Sequence, residues 1–327
     1  MHRLTVALTL VSLALAFASL HLGIRFTPTA EVLAALSGEG DDAAAIIVRS
    51  LRVPRAILAL VIGASLGLAG LLMQIVLRNP IAEPGLLGVN AGAAFAVVLL
   101  LTSVPGAGIA AIMGAAGLGA ALAVAGVMGL ALSTATGLSP AFLLLAGVTI
   151  AALLNAGLQV LIILDEAVME ELLFWLAGAF VDRPLTGLWI ALPIMAVALI
   201  AVVRFRAALD VLGTDDATAA TLGVDVFATR LGFLAAVAAL AGAAVALAGP
   251  VAFVGLVAPH LARLSGAQGT GALLPLTLLW GAILAQTADI LARFVLYPSE
   301  APVSAVMAIV GVPLLIVLLR RRRIAMA

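Results

Sequence analysis

The side chains able to do chemistry are few, and most of them are arginine. Of 327 residues, 16 are basic, 16 acidic and three histidine, with no cysteine, and every basic residue is an arginine. Arg49, Arg52 and Arg55 recur at every third position beside Pro54. Cations so spaced suit lipid headgroups or the carboxylates of an acidic protein surface. Asp289 and Arg293 stand four apart, the spacing of an ion pair on one helix face. Without lysine there is no P-loop lysine to reach nucleotide phosphates, and Schiff-base chemistry is excluded. Without cysteine, disulfides, thiol catalysis and thiolate metal sites are excluded. His2, His21 and His260 have no metal-ligand spacing, so no metal site is expected. A net charge of zero gives no reason to expect nucleic acid.

The elements that must position these residues are membrane spans. The chain is 65% hydrophobic and 10% charged, with mean hydropathy +1.31, against roughly 25% charged in a soluble protein. Apolar runs of about 20 residues cross a bilayer, and ten are read here. They are 4–24, 55–77, 86–103, 108–132, 140–164, 186–203, 231–249, 251–263, 272–296 and 302–319. The expected fold is therefore all-α and integral to the membrane. Residues 1–327 form a single transmembrane domain with a cytoplasmic loop at about 204–230. Residues 4–20 could pass for a signal peptide, but the apolar run continues to Ile24 and is read as a first span. The 251–263 segment is short enough to be a half-helix, and 166–180 is a short amphipathic piece.

Arginine bias orients the chain. Arg320–Arg323 are placed in the cytoplasm, and an even number of spans puts Arg3 there too. The loop 204–230 is then cytoplasmic, and the acidic stretch 165–171 lies outside. Arg49, Arg52 and Arg55 fall outside against the bias, and Arg293 lies near the outer end of the ninth span. Pro54 suits a first helical turn, which places Arg55 where a helix dipole disfavours a cation. Headgroup anchoring and partner docking both account for outer arginines; the unfavourable placement of several favours docking. In the inner loop, Asp215 is an N-cap candidate with Asp216 in the first turn, and Gly223 is a C-terminal stop. A short surface helix is expected over about 216–222. Asp289 is the only mid-membrane acid read from the sequence, and it is read as the partner of Arg293. Asn155 and Gln159 share one helix face, which could line a path or make packing hydrogen bonds. Gly63 and Gly67 have the GxxxG spacing of close helix packing.

Taken in order, several stretches resemble the permease subunits of ABC importers for iron–siderophore complexes, haem and cobalamin. They are RVPR (52–55), GASLGLAG (63–70) with Gln74, and RNPIAEPGLLGVNAGA (78–93), which carries Asn79, Pro80, Pro84, Gly88 and Gly92. LLAGVTIAA (144–152), FWLAGAF (174–180) and GPVAFVGLVAPHLAR (249–263) follow, the last carrying Pro259, His260 and Arg263. ADILAR (288–293) and APVSAVMAIVGVPLLIVLL (301–319) close the series.

The resemblance implies a ten-helix permease that pairs with a second copy of itself in the bacterial inner membrane, both termini cytoplasmic. It implies two ATPase subunits inside, which bind ATP and Mg, and a periplasmic substrate-binding protein outside. This chain would hold no cofactor and perform no catalysis. Arg52, Arg55 and Arg293 would face the binding protein. Thr214, Asp215, Asp216, Ala219, Leu222 and Gly223 would form the ATPase coupling helix, with Thr214-Asp215-Asp216 in place of the usual Leu-Gly-Glu. Gln74, Asn155 and Gln159 are candidates for the path. The cargo implied is a metal chelate, with ferric siderophore ahead of haem or cobalamin. The rival of another class is an ion-coupled secondary carrier, which the scarcity of mid-membrane acids disfavours. An intramembrane hydrolase is disfavoured because no nucleophile–base pair is visible.

Overall fold

The computed structural model describes residues 2–23, 25–38, 42–134, 138–164, 166–176, 180, 185–297 and 299–324. Asp165 and residues 177–179 of the FWLAGAF stretch lie outside the described residues, as do the side chains of Arg320–Arg323. The described residues form helices joined by short links. In order they are α1 (His2–His21), α2 (Thr29–Leu36), α3 (Ala43–Ile47), α4 (Val53–Val76), α5 (Val89–Ser103), α6 (Ile109–Leu132), α7 (Pro140–Leu164) and α8 (Glu166–Leu176). Then come α9 (Leu185–Arg204), α10 (Arg206–Leu212), α11 (Asp216–Thr221), α12 (Val226–Ala248), α13 (Val254–Leu264), α14 (Thr270–Val295) and α15 (Val303–Ile324). A π-helical turn, Val48–Arg52, joins α3 to α4, and a 3-10 turn, Pro84–Leu87, precedes α5.

Seven of these helical segments are long and apolar enough to span a membrane, and three shorter apolar helices (α5, α13 and α15) join them. They correspond one for one to the ten expected spans. The small elements α2, α3 and α10, of five to eight residues, carry too little periodic pattern to be read from sequence. One span is longer than expected. The helix into α4 begins at Ala43 and runs through the π turn, 34 residues in all. Asp42 caps it by accepting from the Ala45 N–H. The π turn accommodates Pro54, whose ring has no N–H to give to the preceding turn.

α4 is the centre of the bundle. Its most apolar stretch is 78% buried, against 17% for α7, so α4 is apolar on all sides and enclosed while α7 is peripheral. It packs against α14, α12 and α13. Leu58, Ile62, Leu68, Leu71, Leu72 and Met73 on it are wholly buried. Small residues make this approach possible. A Cβ on Gly63 would stand 2.4 Å from the carbonyl oxygen of Gly281 on α14, and one on Gly70 would stand 1.8 Å from that of Gly255 on α13. In lipid, where apolar side chains gain little by leaving the solvent, such backbone contact supplies much of the helix attraction. Leu122, Leu153, Ile163, Trp189 and Ile200 point outward from α6, α7 and α9, as a hydrocarbon surround allows.

Antiparallel α4 and α14 define two ends of the bundle. One carries Arg55 and Arg293. The other carries Arg78 and Thr270, about 35 Å away along α14 at 1.5 Å per residue.

Candidate functional site

At the first end, three arginines and two carboxylates form one cluster. Arg55 donates from Nε to Oδ1 of Asp289 at 2.6 Å and from Nη1 to both oxygens of Glu300 at 2.9 and 2.7 Å. Arg293 pairs with Asp289 Oδ2, four residues earlier, as the spacing predicts. It also donates to the Ser19 carbonyl at 2.8 Å, the Ser19 hydroxyl at 2.6 Å and the Leu22 carbonyl. Arg52 donates to the carbonyls of Leu20, His21 and Arg25 at 2.7, 2.9 and 2.6 Å.

Two expectations are corrected here. The first is exposure: Arg293 is 2% exposed, Arg55 6% and Arg52 8%, so these guanidinium groups turn inward. The cause is the C-terminus of α1, whose last carbonyls have no helical partner and whose dipole favours a cation. Arg52 and Arg293 supply that cap. The second concerns Arg55, which does not sit at a helix N-terminus, because the helix continues back to Ala43. Arg49 donates to the Ala45 carbonyl at 3.4 Å and is half-buried. Glu300, which sequence reasoning passed over because it lies in a link between spans, is the most accessible acid of the cluster, its side chain 32% exposed.

At the opposite end the expected short helix is present as α11. Asp215 caps it, accepting from Thr218 N–H at 2.8 Å and Thr218 Oγ1 at 2.6 Å. These hydrogen bonds hold the Asp215 carboxyl below the ordinary carboxylate range. Asp215 thus supplies a side-chain cap that a glycine would lack. Asp216 pairs with Arg78 and, at 2.9 Å, with Arg230. Partial burial alone would raise the Asp216 carboxyl, but the hydrogen bonds and charges of Arg230 and Arg78 outweigh it and hold it below its usual value. Thr214 donates to the Val211 carbonyl at 2.7 Å. Ala219 is buried against the bundle, Leu222 is exposed, and Gly223 stops the helix at φ +80°.

The same arginines reach further. Arg78 donates to the Leu212 carbonyl at 3.1 Å, and Arg230 to that of Leu138, just before α7, at 3.0 Å. Asp210 on α10 accepts from the N–H and hydroxyl of Thr270, both at 2.8 Å, so it caps α14. The α10–α11 unit is therefore fastened to the ends of α4, α7, α12 and α14. Neither Arg78 nor Asp210 stood out in the sequence, because both partners are distant along the chain.

Between the ends, residues 77–88 turn back into the bundle. Pro84 lies beside Gly255, which packs on Gly70, about 12 Å up α4 from Arg78 at 1.5 Å per residue. Irregular backbone at such depth is tolerated when protein surrounds it. Asn79 Oδ1 accepts from Ile81 N–H at 3.1 Å, closing a turn around Pro80. Pro84 starts the 3-10 turn, Gly88 takes φ +78° to open α5, and Gly92 packs on the Gly119 carbonyl. Glu83 lies near the backbone N–H of Phe253, which holds φ +67°, rare for a side chain so large. Phe253 in turn packs against Gly311 on α15.

Gln74 is corrected as a path residue. It is buried, donating to the Leu256 carbonyl at 3.3 Å and accepting from Arg263 at 2.6 Å. It fastens α4 to α13, where Pro259 and His260 are also buried. His260 Nδ1 lies 2.9 Å from the Leu256 carbonyl. Asn155 and Gln159 share the exposed face of α7.

Among the described residues, ten apolar helices are tied by a buried cluster at one end and a fastened surface helix at the other, the build of a multi-pass membrane protein. The chain belongs to the FecCD transport family, which it matches over residues 9–321. It is 42% identical over 307 residues to the ferric enterobactin transport system permease of Escherichia coli, covering 93% of this chain and 91% of the relative. The Fe(3+) dicitrate transport system permease FecC of the same organism is 38% identical over 279 residues, 84% of this chain and 83% of the relative. The vitamin B12 import system permease of Vibrio cholerae is 37% identical over 280 residues, 84% and 83% respectively. Among solved structures, an inward-facing metal-chelate type ABC transporter superposes with TM-score 0.87 at 26% identity, over 98% of this chain and all of that one.

Proposed function

We propose that this chain is the membrane-spanning permease of an ABC importer for a metal chelate, with ferric siderophores as its cargo class. The observation that carries the reading is end-to-end family membership, with relatives named for ferric enterobactin, ferric dicitrate and vitamin B12 transport. Two copies pair in the inner membrane, with both termini and α11 cytoplasmic. Two separate ATPase subunits, which bind ATP and Mg, press on the surface made by Thr214, Asp215, Asp216, Leu222 and Gly223. A periplasmic binding protein docks at the arginine end. The lipid bilayer surrounds the remaining surface.

The geometry supports a mechanical account. A helix of six residues is not stable alone, yet α11 is capped by Asp215 and clamped through Asp216 to Arg78 and Arg230. A push on it is thereby delivered to α4 and α12 and, through Leu138 and Asp210, to α7 and α14. These stiff elements move as bodies, and access alternates between the two sides of the paired permeases. At the other end, Arg52, Arg55 and Arg293 form the buried base of the docking surface, and Arg55 is tied to the exposed Glu300. Asn155 and Gln159, on the outward face of α7, line the path between copies.

Reconstitution into vesicles with the ATPase and binding protein tests this. Uptake of a radiolabelled ferric siderophore is expected to require ATP on the α11 side and to survive collapse of the proton and sodium gradients. Uptake that follows an ion gradient without ATP would instead establish a secondary carrier. Cobalamin moved in preference to ferric chelates would correct the cargo alone.

A further inference from the structure

Arg55 holds two carboxylates of different standing. Asp289 is 1% exposed and is shared with Arg293. Glu300 has a side chain 32% exposed and lies in the link between α14 and α15, three residues before α15 begins. Both Glu300 oxygens are taken by one nitrogen, Nη1 of Arg55. That nitrogen has two N–H donors, so a further carboxylate reaches it only by displacing Glu300.

We infer that Glu300 is a displaceable latch, occupying in the undocked chain the place on Arg55 that a carboxylate of an acidic partner protein takes on docking. This rests on the docking reading above. Exchange of one carboxylate for another conserves charge and hydrogen bonds, so it is close to balanced at a half-exposed site. Exchange of Asp289 would instead strip a buried acid from two buried cations, which is strongly unfavourable. A partner carboxylate that engages Nη1 therefore takes the place of Glu300 and leaves Asp289 undisturbed.

Release has a structural consequence. Besides Arg55, the link is held by the Ala301 N–H on the Ala292 carbonyl at 2.8 Å and the Ser299 N–H on that of Leu296 at 2.9 Å. Freed of Glu300, it keeps these backbone bonds and the core packing of Ala301 and Val303 but loses its tie to α4, and the start of α15 can shift. α15 touches Phe253 through Gly311, and the Phe253 backbone lies near Glu83. Docking at Arg55 is thus connected to the re-entrant segment 77–88.

The test measures docking of the binding protein that restores uptake through this chain to the complete transporter in nanodiscs. Glu300→Gln is expected to bind it roughly fivefold tighter, the scale of a partly exposed ion pair, with Glu300→Asp intermediate. Arg55→Gln is expected to bind it weaker. The chain has no cysteine, so a spin label on Ser299→Cys reports the link alone. It is expected to become mobile on docking in the parent chain, and to be mobile already in Glu300→Gln. If Arg55→Gln docks normally, the docking reading fails and the latch with it. If Arg55→Gln weakens docking while Glu300→Gln docks no tighter, or its label stays as immobile as in the undocked parent, docking stands and the latch is overturned.

Discussion

Arg55 and Asp289, 234 positions apart in the chain, meet with 2.6 Å between Nε and Oδ1. This contact joins α4 to α14 at the end of their antiparallel packing, where the side chain of Asp289 is 1% exposed. Removing the acid leaves two buried guanidinium groups, Arg55 and Arg293, without their shared partner. Losing one member of a buried ionic group costs about 3–5 kcal/mol. Asp289→Ala is therefore expected to lower the Tm in detergent by roughly 10 °C. Differential scanning fluorimetry checks this, and a Tm within 2 °C of the parent would show that the arginines find other acceptors.

Asp216 is expected to be a coupling residue whose loss spares ATP hydrolysis. It is half-exposed, so its pairs with Arg78 and Arg230 contribute about 1 kcal/mol to folding, and Asp216→Ala should assemble. Transport per ATP hydrolysed should fall at least tenfold, because α11 then moves without carrying α4 and α12. Ala219→Pro, which breaks the helix, should do the same. A double-mutant cycle of Asp216→Ala with Arg230→Ala should be clearly non-additive in transport rate. Additive losses would separate the two residues functionally.

The two acids of α11 also fix its response to pH. Asp215 and Asp216 both have carboxyls lowered from the ordinary value. A lowered folded-state value stabilises at pH above the unfolded value of about 3.9. That stability is lost as pH falls through the folded value. An environment-sensitive dye on Thr221→Cys should therefore read the same from pH 8 to pH 5 and change only below about pH 4. A transition near pH 6 would contradict the assignment of these carboxylates as the stabilising groups.

The α4–α13 contact allows a sharper packing test. A Cβ on Gly70 would fall 1.8 Å from the carbonyl oxygen of Gly255, and that atom is backbone, so no rotamer change relieves the overlap. Gly70→Ala must separate α4 from α13 or fail to fold, and overpacking of this kind costs about 1–3 kcal/mol or more. Gly114→Ala, whose Cβ meets nothing within 4 Å, is the matched control. Size-exclusion profiles should show aggregated or depleted protein for the first and a normal peak for the second.

How far the sequence carried differs by feature. Spans were legible because apolar runs report membrane passage directly, and 140–164 agrees with α7 to the residue. The α11 helix was legible because Asp215 and Gly223 mark its ends locally. The direction in which Arg52 and Arg293 point was not, because their acceptors are carbonyls at the end of α1, and backbone carbonyls leave no trace in residue identity. Glu300 and Glu83 were missed for a related reason: each lies in a link between helices, and only the fold brings it to Arg55 or to Phe253. Gln74 looked like a path residue because a polar side chain in an apolar helix suggests a cavity. Its partner Arg263 lies 189 positions away.

Orientation in the membrane is the last prediction, and the cysteine-free chain makes it direct. Arg49, Arg52 and Arg55 would by charge bias alone belong inside, whereas docking requires them outside. Arg52 and Arg55 are buried against acceptors within the fold, so the folded chain presents little of this charge to the headgroups. Ser50, exposed on the π turn between Arg49 and Arg52, and Leu222, exposed at the end of α11, mark the two ends. A membrane-impermeant maleimide should label Ser50→Cys in right-side-out vesicles and Leu222→Cys only in inverted ones. The reverse pattern would place α11 outside, away from any cytoplasmic ATPase, and would refute the importer mechanism.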